Sequence, residues 1–448
     1  MWIINFLICL VLYLAILYLW RRRYFDQCLS LILFGYFCCP VFRYGAFEVN
    51  GSYFITFILF VICAGYFGSG KIGRNRDAFL LFQVGSISLT LLAGVLNGVF
   101  NQAVIIPLAG LLNLALGTFG CILLFRRVDS PFWVLRKAIV RANICHMLFG
   151  ALQLTNVNAG YTITKQLYAT ASKSAPLDTV INELGAFSRI YGATFSPTLL
   201  GGYILFAFSF IFAFILMEKK MGINNLLLLA STVLLGFMAF SKTVIVGIPL
   251  IGFIFLMRSL IYGGKKYGKL FLQFISLLLA AFGVTVLVAA CSGHMGVVKY
   301  YFGLLLKPLQ VFQSRYGSSI NMGDPNATSG MAGALAIFLK HPVIGVGMVP
   351  ILDEFLWDSQ YLSLLHDGGS VLFVITLSFY ISAYTKQKKA KGLPQMMILT
   401  ALMFIALATN VLTITNYIPF IAFSVGVTGN LKAVNISCKR KGGFRIRV

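Results

Sequence analysis

Thirteen apolar runs follow one another along the 448 residues of this chain. They lie near 3–20, 28–44, 52–68, 79–99, 103–125, 138–154, 196–217, 225–241, 243–261, 270–290, 360–384, 394–410 and 412–429. A helix needs about 20 apolar residues to cross the hydrocarbon core of a bilayer, and runs of this length are spans. Lipid offers no partners to backbone N–H and C=O groups, so each run must pair its own, which makes it a helix. Composition agrees: 59% of residues are hydrophobic and 11% charged, against about 25% charged in a soluble domain. A soluble globule with that balance would lack a polar skin. The expected fold is an all-α polytopic membrane protein of about thirteen spans (twelve to fourteen), one integral membrane domain over 1–448. Two long external loops, 154–195 and 291–359, interrupt the series, and a basic tail fills 430–448. The weakest run, 138–154, follows the amphipathic stretch Phe132–Arg141, which is expected to lie at the interface first.

Charge orients the spans. The segments 21–27, 69–78, 126–137 with Arg141, 218–224, 258–269, 386–392 and the tail hold 27 of the 36 Lys and Arg residues. They hold only 4 of the 12 acidic residues. The positive-inside rule makes that side cytoplasmic, which puts the first residue outside and the tail inside. Arg21-Arg22-Arg23 follow the first run directly, without a basic stretch before it or a small-residue cleavage site after it. It reads as a span and not as a removable signal. The tail basic cluster, Lys439-Arg440-Lys441 onward, is a topology and anionic-lipid anchor. Total charge of +24 therefore reflects membrane orientation and no affinity for nucleic acid.

The nine cysteines mostly lie in apolar runs (Cys9, Cys38, Cys39, Cys63, Cys121) and form no CxxC pair. They read as small buried hydrophobes rather than as a disulfide framework or a zinc site. Four scattered histidines make no HExxH. Neither a cofactor nor a metal is expected. The cytoplasmic loops are short and hold no Walker motif or Gly-rich phosphate loop, which disfavours ATP-driven or nucleotide-sugar chemistry there.

Chemistry is expected outside, in the long loops. The first loop ends in Arg189-Ile-Tyr191-Gly192, with Phe195 and Pro197 just before a span. Arg189 can fork onto phosphate oxygens, and Tyr191 can stack on a sugar or line a lipid entrance. The plainer alternative is that Arg189 snorkels or pairs with Glu183. Phe240-Ser241-Lys242-Thr243 puts one cation on a tight outer hairpin, as a phosphate contact or a snorkelling turn lysine. The second loop supplies Lys299-Tyr300-Tyr301 and Arg315-Tyr316, then a short surface helix running to about Lys340 and stopped by His341-Pro342. Gly345-Val-Gly347 allows a close backbone turn. Glu354, Trp357 and Asp358 precede Tyr361, and His366-Asp367-Gly368-Gly369 lies inside the next run. Asp358 can deprotonate a hydroxyl, with Glu354 in reserve, or can simply cap the helix. Asp367 follows nine residues later, about 13 Å along a helix, where His366 can pair with it. Near a membrane surface each charge-assisted bond to a pyrophosphate is worth roughly 2–4 kcal/mol before desolvation. Three convergent cations among Arg189, Lys242, Lys299 and Arg315 would hold such a leaving group.

Three segments together resemble a known family: Arg-Ile-Tyr-Gly with Ser-Pro (189–197), Phe-Ser-Lys-Thr (240–243), and Phe-Leu-Lys-His-Pro-Val-Ile-Gly-Val-Gly (338–347) followed by Asp-Ser-Gln-Tyr-Leu-Ser-Leu-Leu-His-Asp-Gly-Gly (358–369). The chain resembles the Wzy-type O-antigen or exopolysaccharide repeat-unit polymerases, which are related to the O-antigen ligases. The resemblance covers roughly 185–370. It implies a lipid-dependent inverting glycosyltransferase of the bacterial cytoplasmic (inner) membrane with its site facing the periplasm or exterior, acting in lipopolysaccharide or capsule synthesis. Such an enzyme moves a glycan from undecaprenyl pyrophosphate to the non-reducing end of another undecaprenyl-pyrophosphate-linked oligosaccharide. A flippase and a chain-length regulator would be its partners beside membrane lipids. Carried onto this chain, Arg189 and Lys242 would contact pyrophosphate, and Asp358 stands where ligases tend to have His. Relatives often have Arg at the position of Lys242. They also place an Arg at the head of the short outer helix, where this chain has Met331, with Arg315 sixteen residues upstream. A ligase passing the glycan to a terminal acceptor is the nearest alternative. A lipid-linked oligosaccharide flippase or other transporter is the next, although such proteins tend to show repeated halves, broken helices and mid-membrane charges.

Overall fold

The structure is a computed structural model. It describes residues 2–44, 47–67, 77–99, 104–155, 157–168, 190–194, 196–218, 222–263, 266–291, 295–296, 298–299, 338–347, 359–389, 392–407 and 414–427. In chain order the described elements are α1 (Trp2–Arg21), α2 (Phe25–Cys38), β1 (Val41–Tyr44), β2 (Phe47–Asn50), α3 (Gly51–Phe67), α4 (Asp77–Leu96), α5 (Ile105–Phe125), α6 (Pro131–Thr155) and α7 (Val157–Tyr168). They continue with α8 (Pro197–Glu218), α9 (Ile223–Met238), α10 (Lys242–Gly263), α11 (Lys266–Cys291), α12 (Gln360–Lys389), α13 (Leu393–Ile405) and α14 (Ile418–Gly426). Among the described residues, six helices are long and apolar enough to cross a membrane: α1, α5, α8, α10, α11 and α12. Shorter apolar helices accompany them, α2, α9 and α13 among these. The protein is an all-α multi-pass membrane protein, with one small hairpin among the described residues.

That hairpin corrects the run 28–44, which is not helical to its end. Pro40 pushes the residue before it out of the helical region, and Cys39 is extended at φ −71°, ψ 130°. The β-branched and aromatic residues beyond then pair antiparallel, Val41 with Asn50 and Phe42 with Val49. The stretch Phe132–Arg141 is likewise no separate surface helix. It forms the first part of the 25-residue α6. Its Arg136 donates to Asn225 Oδ1 (3.0 Å) and Arg141 to Ser30 Oγ (3.1 Å).

At the centre stands α8. Its residues Leu199–Leu216 are buried, as its all-round hydrophobicity requires. Phe206, Phe208, Phe210 and Phe212 are fully enclosed. Phe420 of α14 stacks between Phe206 and Phe37 with centroid separations of 5.1 and 5.0 Å. The outer helices show the opposite pattern, with Ile3, Leu7, Val11 and Leu14 of α1 exposed; these are lipid-facing positions.

Helix ends sort into two groups. At one end Asn225 links Arg136 to Glu218, and Gln387 and Gln395 both donate to Val427 O. At the other, Ile190 N–H donates to Met238 O, Gln360 N–H to Ala406 O, and Asn416 Nδ2 to Phe37 O. The first group carries the basic loops; the second carries the candidate site.

Candidate functional site

Three local structures build the non-basic end. The first is the segment 190–194. Its backbone would be buried and unpaired were it not for α6. Gln153 Oε1 accepts from Tyr191 N (2.8 Å) and Gly192 N (3.1 Å), while its Nε2 donates to Gly192 O (3.2 Å) and Thr164 Oγ1 (2.6 Å). His146 Nδ1 accepts from Ala193 N at 3.0 Å. Gly192 turns at φ +57° against His146, and a Cβ there would meet the ring at 2.8 Å. Tyr191 is only 3% exposed, its ring edge-on to Tyr161, so it is packed into protein instead of standing open to a sugar. Ile190 N donates to Met238 O at 3.2 Å. The residue following Arg189 is thereby fixed to the end of α9, four residues before Lys242.

The second structure is the α9–α10 hairpin. Phe240 takes φ +45°, unusual for a non-glycine residue. Its ring is held against Ala289 of α11 and Val298. Ser241 O then accepts from Val244 N and Ile245 N to begin α10. Lys242 is the first residue of α10, and exposed Lys299 follows Val298, which packs against this same hairpin.

The third structure joins the two halves of the longest motif. Helix α12 is interrupted at Gly369 (φ +63°, ψ −160°). A break strands carbonyls before it and N–H groups after it. The segment 342–347 pairs two groups of each set. Val346 N donates to His366 O (2.8 Å) and Gly347 N to Asp367 O (3.1 Å). From the other half, Ser370 N donates to Pro342 O (2.9 Å) and Val371 N to Val343 O (3.2 Å). Such backbone contact requires the absence of side chains. A Cβ on Gly345 would meet Gly369 N at 2.6 Å, and one on Gly347 would strike the backbone of Gly94 in α4. Asn97, just past α4, donates Nδ2 to Gly345 O (3.0 Å). Phe338–Lys340 are helical and His341 turns away from them, as the Pro342 stop anticipates.

At this break His366 Nδ1 and Asp367 Oδ1 lie 2.8 Å apart, with His366 buried and Asp367 about a third exposed at 31%. His366 is thus paired with its neighbour. Tyr361 is half-buried and donates its hydroxyl to Met403 O at 3.0 Å. Ser359 is 5% exposed, and Gln360 N is tied to Ala406 O of the α13 end at 2.9 Å; the position of Asp358 directly precedes this anchor in the sequence. Arg189, Tyr301, Arg315, Tyr316, Glu354, Trp357 and Asp358 themselves lie outside the described residues. Among the described residues no group of three His, Cys, Asp or Glu side chains is placed to hold a metal ion.

Sequence reasoning missed Gln153, His146 and Asn97. Their signal was polarity inside apolar runs: a buried amide or imidazole in a span must find partners, and here the partners are backbone groups of the outer segments. No protein-family model matches this sequence, and comparison with curated proteins finds no match either.

Proposed function

We propose that this protein is a polysaccharide repeat-unit polymerase. It would transfer a glycan from a polyprenyl pyrophosphate carrier to the non-reducing end of another lipid-linked repeat unit, at the outer face of a bacterial cytoplasmic membrane. One observation carries the reading: the junction of 342–347 with 366–371 unites the two halves of the motif on which the resemblance to Wzy-type polymerases rests. Two further facts support it. Ile190 is anchored to the hairpin that bears Lys242, and Ser359 is anchored at the same end of the bundle.

In this mechanism the acceptor hydroxyl attacks the anomeric carbon and inverts it. Asp358 takes the hydroxyl proton, with Glu354 in reserve, and Arg189, Lys242 and Arg315 stabilise the departing pyrophosphate. Trp357, Tyr301 and Tyr316 supply faces for sugar or lipid. No nucleotide sugar enters. The break in α12 is the one feature that favours a carrier, since interrupted helices form ion and substrate sites in transporters. Here four backbone groups flanking the break, His366 O, Asp367 O, Ser370 N and Val371 N, are bonded to 342–347, so those four are engaged within the protein and not held out for cargo.

The test is purified protein with undecaprenyl-pyrophosphate-linked repeat units in detergent or vesicles. A ladder of lengthening glycans on the carrier is expected, lost in Arg189→Ala, Arg315→Ala and Asp358→Ala at unchanged expression. A single transfer to a terminal acceptor would make it a ligase. Movement of the lipid-linked sugar across vesicles without bond formation would make it a carrier. Full activity in all three variants would remove the site assignment.

A further inference from the structure

The basic end of the bundle, opposite the candidate site, holds an open cavity of about 510 Å³ lined by α4, α5, α12, α14 and Arg126. Its character follows from the sequence of α12. Residues four apart share a helix face, and Val374, Ser378, Ser382 and Lys386 form one such row, exposed throughout. Read toward the basic end, the row passes from apolar to hydroxyl to cation. The adjoining row carries Phe379. Its ring stacks on Phe82 of α4 with centroids 4.3 Å apart and lies 5.9 Å from Phe79, which gives the cavity an aromatic wall. Helices α14 and α5 close on each other at another side, where a Cβ on Gly426 would meet Ile122 at 2.6 Å. Gln387 donates to Ser424 O (3.0 Å) and Val427 O (3.2 Å), so the residue after Lys386 is pinned to the end of α14. Arg126, directly after α5, lines the cavity as well. Both cations are exposed, and no carboxylate stands among the described residues that line the space.

We propose that this cavity binds one anionic phospholipid from the leaflet at the basic end. Arg126 and Lys386 hold its phosphate, the guanidinium as a fork and the ammonium as a point charge. Ser378 and Ser382 stand beside its ester oxygens, to which their hydroxyls can donate. An acyl chain lies along the aromatic wall of Phe79, Phe82 and Phe379.

Two arguments select this occupant. The first is length. From Val374 to Lys386 the row rises about 18 Å, against about 15 Å for half of a 30 Å hydrocarbon core. The groove therefore covers one leaflet, as an acyl chain does. The second is complementarity. A soluble phosphate would use the cations and leave the aromatic wall without an occupant. A neutral lipid would use the wall and leave both cations without a counter-charge. An anionic lipid matches both. Each cation at a membrane surface is worth about fivefold in affinity for anionic lipid, so the pair gives roughly a thirtyfold preference for phosphatidylglycerol over phosphatidylcholine.

The experiment is native mass spectrometry of the full chain, purified in detergent and titrated with dioleoyl-phosphatidylglycerol or dioleoyl-phosphatidylcholine. The first adduct should be phosphatidylglycerol, bound roughly thirtyfold more tightly than phosphatidylcholine. The double variant Arg126→Gln/Lys386→Gln should bind the two lipids equally. Lys386→Gln alone, with a loss of about fivefold, carries the same test should Arg126 prove necessary for folding. Lys388→Gln/Lys389→Gln removes equal charge from the same helix end, at exposed positions that do not line the cavity, and should keep the preference. Ser382→Trp fills the groove from an exposed position and should weaken phosphatidylglycerol binding with both cations in place. Inorganic phosphate in excess over the lipid should not displace it. Equal losses in the two charge pairs would mean diffuse surface attraction, and the absence of any preference would mean an unselective groove. Displacement by inorganic phosphate would mean a soluble-anion site, and full binding in Ser382→Trp would mean that no chain sits in the groove. Each of these results would overturn the proposal. None of the readouts involves glycan transfer, so they stand or fall independently of the polymerase reading.

Discussion

The helix at the centre of the bundle and the junction at its end are held together by opposite means. Around α8, specificity is written in large side chains: Phe206, Phe420 and Phe37 stack in series, and Tyr417 meets Phe206 edge-on at 5.1 Å. At the junction of 342–347 with α12 it is written in their absence, through backbone hydrogen bonds that only glycines at 345, 347 and 369 permit. Lipid gives helices no hydrophobic reason to associate, so the core depends on van der Waals fit and the junction on pairing backbone groups that lipid would leave bare. The first arrangement tolerates gradual change. The second fails as a unit.

The comparison can be broken most sharply at Gly347. Its φ of +101° and its contact with the Gly94 backbone leave no room for a methyl group. Gly347→Ala should detach the segment and cost about 4 kcal/mol, from strain plus several lost backbone bonds. The check is unfolding in mixed detergent micelles, and the glycan ladder should vanish with it. Phe420→Ala removes one ring from the stack and should cost about 3 kcal/mol as a cavity, yet leave the ladder intact at temperatures where the protein stays folded. If the two variants lost activity in proportion to stability alone, the distinction between the regions would be empty. Asn97→Ala deletes the bond to Gly345 O and should cost about 1–2 kcal/mol, while lowering turnover more than stability. Gly283→Ala, on an open face of α11 with nothing near its Cβ position, should change stability by only about 0.5 kcal/mol, toward greater stability through helix propensity.

The residues that were legible in advance share one property: their effect is local. Pro342 cannot donate a backbone N–H and so disfavours continuing the helix through His341, and Gly345-Val-Gly347 permits a turn in any context. The pairing of His366 with Asp367 was likewise readable from adjacency. Other features had no local signature. The strand Val41–Tyr44 looked like the end of a span because β-branched and aromatic residues are as apolar as helical ones. Tyr191 looked available because nothing in its neighbourhood announces Gln153, 38 residues earlier.

What the chain determined by itself is its medium, its helices and the side on which its positive charge collects. These follow from hydropathy and charge, which sum along a line and need no partner. The tertiary structure alone decided which glycine faces which backbone and which buried amide closes which loop. Those are contacts between distant positions, and at the glycines the decisive element is a missing Cβ, whose meaning depends wholly on what occupies the space beside it.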